Sequence, residues 1–205
     1  MAIHEVLGVG AVAVAMVGYV PYFCDVLQGK TRPHTISWLL WGLLAGIAFL
    51  GQVSGNAGSG AWVTGFTAVM SLVVFVLSLF KGTRDVVLAD WLSLGGAGIA
   101  LVLWYLTSDP LLSVAISTAI NALAFFPTCR KSWRRPREET VVMYFLSGLK
   151  FVLALLSLQT LSLLTTLFPL SLVLMNWLFV VMLLVPRRRV DARVSVPAGL
   201  SVEGA

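Results

Sequence analysis

Lys150 is the charged side chain that stands where charge is most expensive. It lies nine residues past Val141, in an apolar run that ends at Leu158. That is about 13 Å along a helix rising about 1.5 Å per residue. A lysine at mid-bilayer depth costs on the order of 2.5–3.5 kcal/mol and must face water, a partner or a ligand. The acidic residues nearest the apolar runs, Asp25 and Asp90, fall close to their ends. The chemistry that Lys150 offers is therefore attraction of an anionic group. Asn121 and Asn176 occupy similar depths in their own runs, where an amide serves either a ligand or a neighbouring helix. Trp38 and Trp41 are three apart and share one helical face. Tyr144 stands in the equivalent stretch of a later run, and Tyr19 adds a fourth ring. Together, Lys150, Asn121, Asn176, Trp41, Tyr144 and Tyr19 predict a binding site with a charge, two amides and an aromatic wall. No Ser-His-Asp arrangement, Cys/His metal spacing or Gly-rich phosphate loop is present. Neither an enzyme nor a bound metal or cofactor is expected.

The elements that carry these residues follow from composition. The chain has 205 residues, of which 59% are hydrophobic and 11% charged, against about 25% charged in soluble domains. Its solvent is expected to be lipid. Apolar runs cover 6–27, 35–53, 61–80, 86–106, 111–129, 141–158 and 161–185, each close to the about 20 residues that span a bilayer core. The pattern predicts seven transmembrane helices. Of 14 Lys and Arg, 13 fall at 30–32, 81–84, 130–137 and 187–193. Seven crossings put all of these on one face. The positive-inside rule makes that face cytoplasmic, with the N-terminus outside and the C-terminus inside. The expected location is a bacterial inner (plasma) membrane. The net charge of +5 thus expresses topology, and nucleic acid is not an expected partner. The bilayer and a small-molecule substrate are; assembly into a homo-oligomer stays open. Trp62, Trp91 and Trp104 fit an interfacial belt. Cys24 and Cys129 fall at cytoplasmic helix ends, where a disulfide is not expected.

One segment occurs twice. Gly18 to Asp25 leads into the loop Lys30-Thr31-Arg32-Pro33-His34-Thr35, and Ala124 to Lys131 leads into Trp133-Arg134-Arg135-Pro136-Arg137 and Thr140. Pro21 and Pro127 are 106 apart; Cys24 and Cys129, and Thr35 and Thr140, are 105 apart. A proline inside a helix removes one hydrogen bond and weakens that turn, so Pro21 and Pro127 are read as hinges of a gate. Asp25 and Trp38 would belong to that gate, with Asp25 pairing with Lys30, Arg32 or the second basic loop. The helices of 6–80 and 111–185 then form two repeats. Each has three helices, an odd number, so the linker helix at 86–106 is needed to keep them parallel. Residues 186–205 form a cytoplasmic tail, disordered from about Val194.

This all-α, 3+1+3 plan resembles the PQ-loop superfamily over residues 6–185. That group includes the SWEET sugar transporters, the lysosomal amino-acid exporters and the KDEL receptors. Tyr22 and Thr128 stand where its namesake glutamine follows the proline. In the sugar transporters the third helix of each repeat offers an asparagine to substrate; Asn176 matches by position, whereas helix 3 has Met70 and Ser71 there. The resemblance implies a secondary transporter or facilitator working by alternating access. A receptor of the KDEL type is the alternative, separated by a flux measurement. A retinal protein is suggested only by seven helices and a buried lysine, and Lys150 lies in helix 6 rather than in the last.

Overall fold

Lipid offers the backbone no hydrogen-bond partner, so an apolar run that enters it must coil on itself. In this computed structural model, residues 3–83, 87–107 and 109–194 are described. They form α1 (Ile3–Leu27), α2 (Thr35–Ser54), α3 (Trp62–Lys81), α4 (Leu88–Thr107), α5 (Pro110–Arg134), α6 (Val141–Leu156) and α7 (Leu163–Val194). A 3-10 turn at Gly58–Ala61 leads into α3, and another at Pro136–Glu138 precedes α6. Among the described residues five helices are long and apolar enough to cross a membrane: α1, α2, α3 with its lead-in, α5, and α7 as far as Val185. Helix α6 is apolar but shorter. By helix length and composition the chain is an integral membrane protein. Arg84 and Ser201, with the side chains of Asp90, Trp104 and the basic tail, lie outside the described residues.

Two helices overrun their apolar segments. Helix α5 continues through Arg130 and Lys131 to Arg134, so three of the five basic residues at 130–137 are helical. Lysine and arginine are good helix formers and suit the negative end of the helix dipole. Helix α7 likewise extends beyond Val185 to Val194.

The distribution of side chains is that of a protein dissolved in lipid. Phe80 and Tyr105 are 82% exposed, and Val17, Val20, Leu106 and Leu178 also face outward. Inside, the helices bury Ser37, Gln52, Thr64, Ser71, Ser117, Asn121, Lys150 and Asn176. Helix starts are chosen locally. Asp109 Oδ1 accepts from the amides of Leu111 and Leu112 at 2.9 and 3.2 Å, with Pro110 next in line, a proline-assisted N-cap. His34 accepts from the Ser37 amide to cap α2.

Helices pack in a reciprocal pattern. Helix α2 lies on α3, and α6 on α7; α1 lies on α6, and α5 on α2; α1 touches α3, and α5 touches α7. Helix α4 packs mainly on α5. Close approach between α2 and α3 depends on Gly42, where an added Cβ would lie 2.6 Å from Leu72. An added Cβ at Gly46, four residues on, would have nothing within 4 Å among the described residues, nor would one at Gly95, Gly96 or Gly98 of α4.

Three prolines interrupt the bundle interior. Pro21 lies in α1 and Pro127 in α5. Pro169 falls inside α7 and was not anticipated as a helix breaker. A proline leaves the carbonyl four residues earlier without its helical donor. For Pro169 that carbonyl belongs to Thr165, and the buried Gln52 Nε2 of α2 donates to it at 3.2 Å. One turn before Pro127, the Ala124 carbonyl accepts from Ser37 Oγ at 3.0 Å. Both contacts tie α2 to a proline-bearing helix.

Candidate functional site

A cavity of ≈ 40 Å³ lies between α1, α2, α3, α5, α6 and α7. Lys150, Asn121, Asn176, Trp41, Tyr144 and Tyr19 all line it, and so does Trp38. Each of these side chains is less than one-tenth exposed. Five helices converge to bring them together: α1 supplies Tyr19, α2 Trp38 and Trp41, α5 Asn121, α6 Tyr144 and Lys150, and α7 Asn176. Helix α3 adds Thr67 and Ser71, which the sequence reading did not assign to the site.

Thr67 matters because of Lys150. The Lys150 ammonium donates to Thr67 Oγ1 at 2.9 Å, and the Thr67 hydroxyl proton is already directed to the Val63 carbonyl at 2.7 Å. This arrangement turns a hydroxyl lone pair toward the ammonium. The same nitrogen lies 5.1 Å from the Tyr19 ring centre and 5.0 Å from that of Phe151, within the range of cation–π attraction. Among the described residues no carboxylate forms an ion pair with Lys150. Asn176 donates to the Leu172 carbonyl at 2.8 Å, inside its own helix. The Asn121 amide nitrogen and the Trp41 indole nitrogen are buried without a hydrogen-bond partner.

Aromatic rings floor the cavity on the side of the basic loops. Tyr22 meets Trp38 at 5.1 Å, Trp38 meets Trp41 at 5.0 Å, and Trp41 meets Phe125 at 4.8 Å. Phe179 continues the run from Phe125 to Tyr144, with ring centres 6.1 and 4.5 Å apart. The chain of rings passes through α1, α2, α5, α7 and α6. Offset and edge-on pairs of this kind contribute about 0.5–1.5 kcal/mol each beyond area burial.

Beyond the rings, the two basic loops meet. Thr140 Oγ1 donates to Asp25 Oδ2 at 2.8 Å. Thr31 Oγ1 lies 2.8 Å from Thr140 Oγ1 and must be its donor, since the Thr140 proton is committed. Asp25 thus binds the start of α6 through a hydroxyl, in place of the expected lysine or arginine. Lys131 forms an ion pair with Glu139 and also donates to the Arg32 carbonyl; both groups of the pair are buried. Tyr144 donates to the other Glu139 oxygen at 3.0 Å. A cavity-lining ring is thereby joined to the ion pair. The Arg32 amide donates to the Glu138 carbonyl at 3.3 Å. Pro21 is half-buried and Pro127 buried, both outside the cavity lining.

The opposite end is closed by the turn before α3. Ser59 Oγ donates to the His4 carbonyl at 2.8 Å and lies 3.3 Å from the Ser157 carbonyl. The Gln159 amide donates to the Ala57 carbonyl at 3.2 Å. Gly8 lets α1 touch this turn: a Cβ there would come within 2.8 Å of Ser59. Outside this closure a wider hollow of ≈ 340 Å³ is lined by Glu5, Asn56 and Trp62 among others. Cys24 and Cys129 are free thiols. Among the described residues no three His, Cys, Asp or Glu side chains group as metal ligands.

These features define a helical membrane protein with a central cavity lined by both aromatic and polar side chains. No family model, curated protein or solved structure matches the chain.

Proposed function

We propose that the protein is a secondary transporter or facilitator of a small polar or anionic metabolite, built from two parallel three-helix repeats and working by alternating access. The observation that carries this is the central cavity. It gathers an unpaired cation and partnerless amide and indole donors at mid-bundle, between two polar closures. A static bundle gains nothing from burying such groups, because each unmatched donor costs about 1–3 kcal/mol.

The repeat arrangement has its own support. The reciprocal packing is unchanged when α1, α2 and α3 are exchanged with α5, α6 and α7. The cavity lining obeys the same exchange. Tyr19 and Phe125, both lining, are 106 apart, the offset of Pro21 and Pro127. Trp38 and Met143, Ala45 and Lys150, Thr67 and Leu172, and Ser71 and Asn176 all line the cavity and are each 105 apart. Helix α4, 20 residues long, would be the linking span that completes seven crossings, as in the PQ-loop superfamily.

With seven crossings the basic loops face the cytoplasm. Impermeant thiol labelling checks this in a background free of Cys24 and Cys129. Gln28→Cys and Arg134→Cys are expected to react only from the cytoplasmic side, and Ser54→Cys only from the other. Reaction of Gln28→Cys and Arg134→Cys from opposite sides would end the parallel-repeat proposal. Transport itself is tested in proteoliposomes with labelled glucose, lactate and ethanolamine at alkaline pH. Uptake of glucose or lactate above protein-free vesicles is the expected result. Binding of a solute with no uptake of any of the three would favour a receptor.

A further inference from the structure

The donors of the central cavity are more specific than its position, and they bear on the class of ligand. A lysine ammonium has three N–H groups. Lys150 commits one to Thr67, and among the described residues no other hydrogen-bond acceptor receives the remaining two. Trp41 and Asn121 each present a buried nitrogen without an acceptor. All three residues line one cavity, and no acidic side chain does. The site therefore offers N–H groups to spare beside a single positive charge.

The geometry points to a short monocarboxylate as the ligand of this cavity, its carboxylate set against Lys150, Trp41 and Asn121. An ionised carboxylate accepts at about four lone-pair sites and donates nothing, which matches a surplus of donors. Charge fixes the valence. One anion neutralises Lys150, whereas a dianion would leave net negative charge buried among rings, where desolvation is costly. A neutral sugar would leave the Lys150 charge unmatched, and a cation would meet Lys150 directly. Size agrees: one water needs about 10–15 Å³ of such space, so ≈ 40 Å³ holds a group of a few heavy atoms. The inference deepens the transport proposal and rests on the same cavity.

The test is thermal unfolding of the purified full-length protein with sodium acetate, using acetamide as the neutral isostere and sodium chloride at matched ionic strength. A ligand that binds only the folded state raises the unfolding temperature by mass action. Acetate is expected to give a saturable rise, with little from acetamide or chloride. Lys150→Met should raise the half-saturating acetate concentration by at least about tenfold, since hydrogen bonds to charged groups are the strong ones. Trp41→Phe keeps a ring and removes only the N–H, and should raise it about threefold or more. It also covers the case in which Lys150→Met fails to fold. Equal protection by acetamide or by chloride overturns the assignment, and so does a response unchanged in both variants. Acetate protection without lactate uptake into vesicles would keep the carboxylate site and remove transport. Uptake of glucose without acetate protection would do the reverse.

Discussion

Lys150→Met is expected to abolish flux while leaving the unfolding temperature unchanged or raised. The side chain is 1% exposed, and its hydrogen-bond partner is a neutral hydroxyl, Thr67 Oγ1. Removing the ammonium orphans no buried carboxylate among the described residues. It removes a desolvation cost and forfeits one charge-assisted hydrogen bond, worth about 1.5–3 kcal/mol, together with two weak ring contacts. Methionine keeps the length and fills the same space. At the proposed site binding would depend on the charge and should be lost with it. Thermal unfolding and lactate uptake of this variant, measured together, decide the matter. Wild-type uptake with a lower unfolding temperature would make Lys150 a structural residue.

Lys131→Met should behave in the opposite way. Lys131 and Glu139 are both buried, and Lys131 also holds the Arg32 carbonyl. Breaking a buried pair from one side costs about 3–5 kcal/mol, because the remaining charge keeps its desolvation penalty. The double change Lys131→Met with Glu139→Gln should recover most of that loss. Because the pair also joins the two basic loops, Lys131→Met should loosen that end of the bundle. In a Cys24→Ser background, the half-buried Cys129 thiol is expected to react faster with a thiol reagent. An unfolding temperature equal to wild type would show that the pair does not hold the closure.

Much of the site was legible because a polar residue in a lipid-soluble helix has few places to go. Lys150, Asn121 and Asn176 identified themselves by depth alone, and Trp41, Tyr144 and Tyr19 by spacing relative to them. All six line one cavity. Thr67 and Ser71 were passed over because serine and threonine in membrane helices satisfy themselves on their own backbone, as Thr67 does with Val63, and so carry little signal. Position did point to Ser71, 105 before Asn176, but a serine there did not match the asparagine. The role of Asp25 was misread for a different reason. Sequence proximity favours Lys30 and Arg32, whereas packing of α1 on α6 delivers the Thr140 hydroxyl instead. Helix ends were least legible where basic residues follow an apolar run, as at Arg134 and Val194, because hydropathy falls before the helix stops. Pro169 escaped attention because its lost hydrogen bond is replaced from a distant helix, by Gln52.

Thr140 occupies the N-cap position of α6, yet its hydroxyl makes no capping bond there and reaches across to Asp25. An N-cap threonine contributes about 0.5–2 kcal/mol when it caps its own helix, and a hydrogen bond such as that to Asp25 contributes about 0.5–1.5 kcal/mol net. The two uses of one hydroxyl are nearly interchangeable in free energy. In the proposed alternating-access cycle the basic loops would separate, and Thr140 could then turn back to the first amides of α6 while Asp25 took up water. In that cycle the contact would register the closed state without deepening it, a detent that sets where the loops stop and leaves the equilibrium between states to the ion pair beside it.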